Sequence, residues 1–144
     1  MACPFFFPVE RSSAIGWAFP ARLPLGAGYC GTCRAGNAEV TPSEKELRDF
    51  CNLGYASECG RMPVDRQADC VRFAVSRDEG SKIAFQYVYE RKHEPVSHGI
   101  VEYDVVAGAW ILLLTDELAQ RHAECYLAAY LERRPREKAV TLRD

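Results

Sequence analysis

Seven cysteines are a large number for a chain of 144 residues, and most of them lie in its N-terminal part. Cys30 and Cys33 form a CxxC pair in a glycine-rich stretch, Cys51 and Cys59 follow as single residues, and Cys3 lies upstream. Disulfides are rare in a reducing cytosol, and an odd number of cysteines cannot all pair. The pattern therefore favours thiolates that bind an inorganic centre.

The irregular spacing favours an iron–sulfur cluster. A zinc ribbon or treble clef usually offers two closely spaced ligand pairs, and this sequence has one. Cluster ligands can converge from separate loops, and the last ligand of the bacterial ferredoxin run is followed by proline, as Cys3 is followed by Pro4. We therefore expect a [4Fe–4S] cluster, with zinc as the alternative metal.

Five cysteines compete for four ligand positions. The preferred set is Cys3, Cys33, Cys51 and Cys59, because an aromatic N-terminal segment bearing Cys-Pro otherwise has nothing to hold it. The alternative set replaces Cys3 with Cys30. Its order, a CxxC pair followed by two single cysteines, resembles the ligand order of high-potential iron–sulfur proteins, with a shorter last gap. A CxxC spacing is also that of thiol oxidoreductases, so Cys30 and Cys33 could instead form a redox pair.

Aromatic and basic residues near these cysteines suit a buried cluster. The aromatic residues are Phe5, Phe6, Phe7, Tyr29, Phe50 and Tyr55. They would exclude water, and burial is one of the factors that set a cluster's potential. Arg34 and Arg61 would offset the thiolate charge. Cys70 falls on a predicted strand and Cys125 on the apolar stripe of the last predicted helix, and we expect both to be ordinary buried residues.

Residues 1–40, which form most of an N-terminal lobe that spans residues 1–64, show no sustained hydrophobic period. Many prolines and glycines interrupt this segment, yet it carries too many large aromatic side chains for a solvated tail. We expect a loop-rich lobe in which the metal centre replaces a hydrophobic core.

One helix is predicted in this lobe, from about Pro42 to Asn52. Thr41 and Glu44 have the spacing of a capping box, and Gly54 suits the left-handed residue that ends a helix. The apolar positions recur at helical spacing, so Cys51 should face inward.

Residues 65–134 alternate apolar and polar side chains, which predicts β-strands. Four strands are expected in an antiparallel meander, at about 70–76, 83–90, 98–106 and 109–114, with a break at Glu94-Pro95 between the second and third. Thr115 or Asp116 should cap a helix that runs to about Arg133 and packs on the sheet. Residues 135–144 are expected to form a flexible tail. The predicted fold is a single α+β domain.

The overall charge and hydropathy exclude several partners. The formal net charge is −2, with 18 basic and 20 acidic residues, so no strong field attracts nucleic acid. The longest apolar runs are far below the roughly 20 residues of a membrane span, and the N-terminus lacks a signal-peptide pattern. We expect a cytoplasmic protein that does not act on nucleic acid or membranes.

Three functions remain open on the sequence. The first is a small iron–sulfur protein, not itself an enzyme, that carries electrons to a protein partner or uses its cluster structurally. The second is a zinc-stapled interaction module, because Tyr87, Tyr89 and Tyr103 exceed what one helix can cover on the sheet. The third is a thiol oxidoreductase that uses the CxxC pair. The oligomeric state is left open.

Overall fold

The protein is an α+β fold of two antiparallel sheets and two helices, which confirms the expected fold class. The structure is a computed structural model and describes residues 2–13, 15–17, 19–53 and 59–134. The strands are β1 (Phe6–Arg11), β2 (Tyr29–Cys33), β3 (Cys70–Asp78), β4 (Lys82–Arg91), β5 (Glu94–Asp104) and β6 (Ala109–Leu112). The helices are α1 (Glu44–Glu46), which continues as a π-helical turn (Leu47–Cys51), and α2 (Glu117–Arg133); a short 3-10 turn lies at Pro20–Arg22.

The four-stranded sheet is the predicted meander, with strand order β3-β4-β5-β6. Its alternating side chains place Ile83, Phe85 and Val101 in a buried cluster on one face, and α2 covers that face. Tyr126 of the helix stacks on Phe73 of β3, with ring centroids 5.4 Å apart. The sheet therefore buries one face because its sequence alternates.

The predicted break at Glu94-Pro95 is wrong. β5 begins at Glu94 and includes Pro95, and the turn consists of Lys92 and His93, whose φ angles are 51° and 66°. Two residues of positive φ match the twist of a tight hairpin. Proline is tolerated because β6 pairs only with the far end of β5, from Glu102 onward, so the proline end of β5 is an edge.

A two-stranded sheet, β1 with β2, was not expected in the N-terminal lobe. Phe6 pairs with Cys33 at one end, and a register shift falls between Pro8 and Glu10. The proline and this irregularity disrupt the period of two by which strands are recognised. Gly31 is required here, because a Cβ at that position would overlap the backbone carbonyl of Phe7.

The lobe also has a hydrophobic core, so the expectation that a metal centre replaces one is wrong. The buried members of this cluster are Ala2, Cys3, Phe6, Ile15, Leu25, Ala27, Tyr29, Leu47, Cys51, Val71 and Cys125. They come from segments far apart in the sequence, and each segment contributes only one or a few residues. No local sequence pattern predicts such a core.

Helix α2 lies between the two sheets and contacts both. Asp116, one of the two residues predicted to cap the helix, does cap its N-terminus: its carboxylate accepts a hydrogen bond from the Ala119 backbone N–H at 2.8 Å. Arg121 donates to the backbone carbonyl of Pro8 in β1 at 2.7 Å. On the other side, Ala123 and Leu127 join the cluster under the four-stranded sheet. The helix ends at Arg133 as predicted; Gly54 and the predicted tail, residues 135–144, lie outside the described residues.

Cys70 and Cys125 are both buried, as the sequence predicted. Cys125 belongs to the N-terminal cluster, where the Tyr29 hydroxyl donates to its backbone carbonyl at 3.5 Å. Both residues act as small apolar side chains in the interior.

Candidate metal centre

Four cysteines from four separate segments line a single cavity. Cys3 precedes β1, Cys33 ends β2, Cys51 ends the π-helical turn, and Cys59 lies in the loop that leads to β3. These are the four cysteines of the preferred ligand set. The fifth candidate, Cys30, does not line the cavity.

Backbone hydrogen bonds hold the segments that carry these cysteines. The Cys3 N–H donates to the carbonyl of Cys51 at 3.3 Å, which joins the N-terminal segment to the π-helical turn. Ala2 and Val71 exchange two hydrogen bonds, of 2.7 and 2.9 Å, so the same segment is also fixed to β3. The Met62 N–H donates to the carbonyl of Cys59 at 3.1 Å and closes a turn next to the cavity.

The helix that carries Cys51 begins later than expected. Its capping box consists of Ser43 and Glu46, not Thr41 and Glu44: the Ser43 hydroxyl accepts from the Glu46 N–H, and the Glu46 carboxylate accepts from the Ser43 N–H. The predicted cap was wrong because the sequence contains two pairs with capping-box spacing, Thr41 with Glu44 and Ser43 with Glu46, and the helix begins at the second. Cys51 is buried, as its helical spacing predicted.

Asn52 fixes the end of this helix to β2, and the sequence analysis did not identify it. Its side-chain amide donates to the carbonyls of Tyr29 and Leu47 at 3.0 and 2.9 Å, and its carbonyl oxygen accepts from the Tyr29 N–H at 3.0 Å. The residue is 1% exposed. A buried amide with three backbone partners positions Cys51 relative to Cys33, because each cysteine lies close in sequence to one of the bonded groups.

The walls of the cavity are mostly apolar. Phe5, Phe6, Phe50 and Met62 line it with the cysteines. Burial raises the pKa of Cys3 to about 12, although hydrogen bonds from the Phe5 and Phe6 backbone N–H groups act in the opposite direction. The Phe6 N–H donates to the backbone carbonyl of Cys3 at 3.2 Å and closes a turn beside the sulfur.

Burial also raises the pKa of Cys51, and the nearby thiols of Cys3, Cys33 and Cys59 raise it further. Four ionisable thiols close together in an apolar site repel one another once they lose their protons. A bound cation removes this penalty, and its binding releases the protons.

The donor set suits two kinds of centre. Four thiolates are ligands for iron–sulfur clusters and for structural zinc alike. The cavity measures about 20 Å³, enough for about one water molecule or one zinc ion, so a [4Fe–4S] cluster would displace side chains as it binds. In the described part of the chain, no three or more His, Cys, Asp or Glu side chains are grouped closely enough to hold one metal ion.

The two arginines expected to offset the thiolate charge behave differently. Arg61 lines the cavity, and its guanidinium is paired with the Glu46 carboxylate at 2.8 Å. Arg34 lies over the ring of Phe7, 3.8 Å from its centroid, and pairs with Glu39 at 2.9 Å. Arg34 is not among the residues that line the cavity.

Cys30 faces away from the cavity. Its thiol lies 3.5 Å from the backbone carbonyl of Glu10 and 3.7 Å from the Glu10 carboxylate. Both cysteines of the CxxC pair belong to β2, and residues three apart in a strand point to opposite faces. The strand therefore separates the two thiols that a dithiol mechanism would need to bring together.

The structure does not place the remaining aromatic residues that were predicted to surround the centre, Phe7, Tyr29 and Tyr55, at the cavity. Phe7 lies under Arg34, and Tyr29 belongs to the hydrophobic cluster of the lobe. Tyr55 lies outside the described residues.

His122 of α2 is fully buried close to this site. Its Nε2 atom is hydrogen-bonded to the backbone carbonyl of Phe6, and Nδ1 is buried without a partner among the described residues. Burial lowers the pKa of His122 to about 4, so the ring is neutral at pH 7. His122 thus lies on the buried face of α2, together with Ala119 and Cys125.

Comparisons with protein-family models, with curated proteins and with solved structures find no match to this chain. Within the described residues, no helix is both long and apolar enough to cross a membrane.

Proposed function

We propose that this protein is a small iron–sulfur protein in which Cys3, Cys33, Cys51 and Cys59 hold a [4Fe–4S] cluster. One observation carries the proposal: four cysteines from four separate segments line one apolar cavity, and a fifth cysteine of the same region does not. The fold thus brings together cysteines from distant parts of the sequence, as the ligands of a cluster must be.

The four residues would serve as ligands from positions that the fold already restrains. Cys33 is held in β2, Cys51 at the end of the π-helical turn, and Cys3 by its backbone bond to Cys51. Ligands attached to different corners of a cluster need not meet at one point, whereas the four sulfurs around one zinc ion would lie about 3.8 Å apart for bonds of about 2.3 Å. Within the described residues, no three His, Cys, Asp or Glu side chains are grouped closely enough to hold one metal ion, which favours the cluster over zinc.

The surrounding side chains would exclude water from the centre. Phe5, Phe50 and Met62 form the apolar walls, and the backbone N–H groups of Phe5 and Phe6 act to lower the pKa of the Cys3 thiol against the effect of burial. Hydrogen bonds to the sulfurs and exclusion of solvent are two of the factors that set a cluster's potential. When bound, the cluster supplies a one-electron couple, so the role would be electron transfer, or structural support if the couple is not used.

A zinc-stapled interaction module is the second candidate, because four thiolates also satisfy structural zinc. The sequence argument for this candidate was an excess of tyrosines on the sheet, and the structure weakens it. Tyr103 packs edge-on against Trp110, with ring centroids 5.1 Å apart, and joins the core under the sheet. In its place, Ile100 and Leu112 are about half exposed, so a partner protein could cover them.

Metal analysis of protein prepared without oxygen tests the proposal. We expect a coloured protein with about four iron and four acid-labile sulfide per chain. A colourless protein with one zinc per chain would support the second candidate and overturn the first. If iron and sulfide are present, a reversible wave in voltammetry assigns electron transfer, and its absence assigns a structural role.

A further inference from the structure

A second and much larger cavity lies beside the cysteine site. It is an open cleft of about 1020 Å³ between the start of α2, the neighbouring end of β4 and β5, and the loop that precedes β3. The residues that line the cleft include Phe5, Arg66, Tyr87, Tyr89, Arg91 and Asp116. Its volume is at the upper end of the range for small-molecule sites, which are about 300–1,000 Å³.

One wall of the cleft is aromatic and fixed in place. Tyr87 and Tyr89 lie on β4 with their rings nearly perpendicular and their centroids 6.1 Å apart. Tyr87 lies against Gly99 of β5, where a Cβ would overlap its hydroxyl end. The missing side chain at Gly99 therefore lets the Tyr87 ring lie over the neighbouring strand.

A second wall carries two arginines, and a buried network orients them. The carboxylate of Asp69 accepts from Arg66 at 2.5 Å and from the Lys92 backbone N–H at 2.8 Å, and Asp69 is 5% exposed. Arg66 also donates to the carbonyl of Pro63 at 2.7 Å. Arg91 donates to the backbone carbonyl of Arg66 at 3.4 Å.

The charges of the two arginines are not equivalent. Asp69 neutralises Arg66, whereas Arg91 forms no ion pair with any residue in the described ranges. Arg91 is exposed at the cleft, and its guanidinium presents several N–H donors in one plane. This geometry suits a phosphate or carboxylate group.

The third wall is the start of α2, where Asp116 is exposed. One oxygen of its carboxylate caps the helix, and the carboxylate has acceptor capacity left for a second donor. Asp116 lies close enough to Tyr89 that its charge helps burial to raise the pKa of that tyrosine. A ligand placed on Tyr89 would therefore meet a carboxylate acceptor.

We propose that this cleft binds a nucleotide, with a heteroaromatic base against Tyr87 and Tyr89, base N–H groups donating to Asp116, and the phosphate on Arg91. The three walls supply the three things such a ligand needs: an aromatic surface, an acceptor and a cation. The assignment does not depend on what the cysteines hold, because Phe5 is the only residue in the described ranges that lines both cavities.

Isothermal titration calorimetry on the full-length protein as purified, with GMP, AMP and guanosine, tests this site. We expect saturable binding of GMP or AMP at one site per chain. The tighter of the two shows whether the site prefers guanine or adenine. Arg91→Gln should weaken binding of the phosphorylated ligand about tenfold and leave guanosine unchanged, because one charge-assisted contact is lost. Asp116→Asn keeps a good helix cap and should weaken the nucleotide and guanosine alike.

Two further variants separate the cleft from general effects on the fold. Gly99→Ala should displace Tyr87 and weaken binding severalfold, whereas Gly36→Ala, where a Cβ meets nothing within 4 Å, should change nothing. No saturable binding of GMP or AMP at millimolar concentration would overturn the proposal. So would binding that is unaffected by both Arg91→Gln and Gly99→Ala.

Discussion

Residues 70–134 and residues 2–53 reach their folded arrangement by different means. In the first region the backbone hydrogen bonds form regular ladders from β3 to β6, and one covering helix completes the core. In the second, short elements are joined by single bonds between distant groups, such as those of Asn52. Regular ladders follow from local pattern, whereas single distant bonds do not.

The two regions also bury different chemistry. The four-stranded sheet buries Phe85 together with aliphatic neighbours such as Ile83 and Val101. The lobe combines packing with four thiols around one cavity. Changes in the lobe should therefore affect the proposed metal centre, and equally destabilising changes in the sheet should not.

The largest expected effect is that of Asn52→Leu. The N–H and carbonyl of Tyr29 would each lose a buried partner, at roughly 1–3 kcal/mol each, and the Leu47 carbonyl would lose one of its two donors, so the free energy of unfolding should fall by about 3–5 kcal/mol. Metal retention should fall with it, because Cys51 and Cys33 are no longer tied together. Urea denaturation and metal content per chain measure the two effects.

Asn37→Leu is the matched control, because Asn37 is exposed in the turn after β2. It should change stability by less than about 0.5 kcal/mol. An Asn52→Leu protein as stable as the wild type would show that the lobe does not depend on this residue.

Asp78→Asn tests the other region. Asp78 and Arg134 are both nearly fully buried, with an ion pair of 2.7 Å, and the Tyr130 hydroxyl donates to the same carboxylate at 2.7 Å. Breaking a buried pair costs about 3–4 kcal/mol. Metal content should stay unchanged, and Glu79→Gln, an exposed change in the same turn, should have little effect on either quantity.

The same pair predicts an acid limit. Burial acts to raise the pKa of Asp78, but the hydrogen bonds from Arg134, Tyr130 and the Gly80 N–H outweigh it and lower the pKa to about 2. The stabilisation is complete above the usual value of 3.8 and is lost as the pH falls towards 2. Wild-type protein should lose more stability than Asp78→Asn across that interval.

His122→Gln tests the helix that joins the two regions. The unfolded chain takes up a proton at about pH 6.5 and the folded protein only at about pH 4, so stability should fall by about 3 kcal/mol as the pH is lowered between these values. The variant should remove this slope in urea denaturation. His98→Gln, an exposed position on β5, should keep it.

Arg34→Gln should have the smallest effect. Its contacts with Phe7 and Glu39 are at the surface, so the loss should be below about 1 kcal/mol. Because Arg34 does not line the cavity, metal content should not change. Loss of metal on this substitution would contradict the prediction and would mean that the site extends beyond the cavity to Arg34.

The sequence predicted most of the sheet region because its signals are local. Alternation from Val71 to Val75 and from Ile83 to Tyr89 marked two strands, and a capping residue and a run of apolar positions marked α2. The error at Pro95 arose because a proline is read as a break, while the strand pairing that makes it an edge position is not visible locally.

The lobe was predicted less well because its determinants are distant in sequence. The shared cavity could be anticipated from the number and clustering of cysteines, and Cys3 from its position in an aromatic segment. The pairing of β1 with β2 and the bonds of Asn52 to Tyr29 had no such signal. An isolated asparagine after a helix is most often a simple end residue, so its role could be found only from the structure.

The most direct test compares Cys33→Ser with Cys30→Ser, two cysteines on one strand that face opposite sides. Both proteins would be prepared without oxygen and assayed for iron, acid-labile sulfide and zinc per chain. We predict that Cys33→Ser loses most of the bound metal and Cys30→Ser retains the full amount. Equal retention in the two variants, or a greater loss in Cys30→Ser, would contradict the assignment of the centre to the cavity.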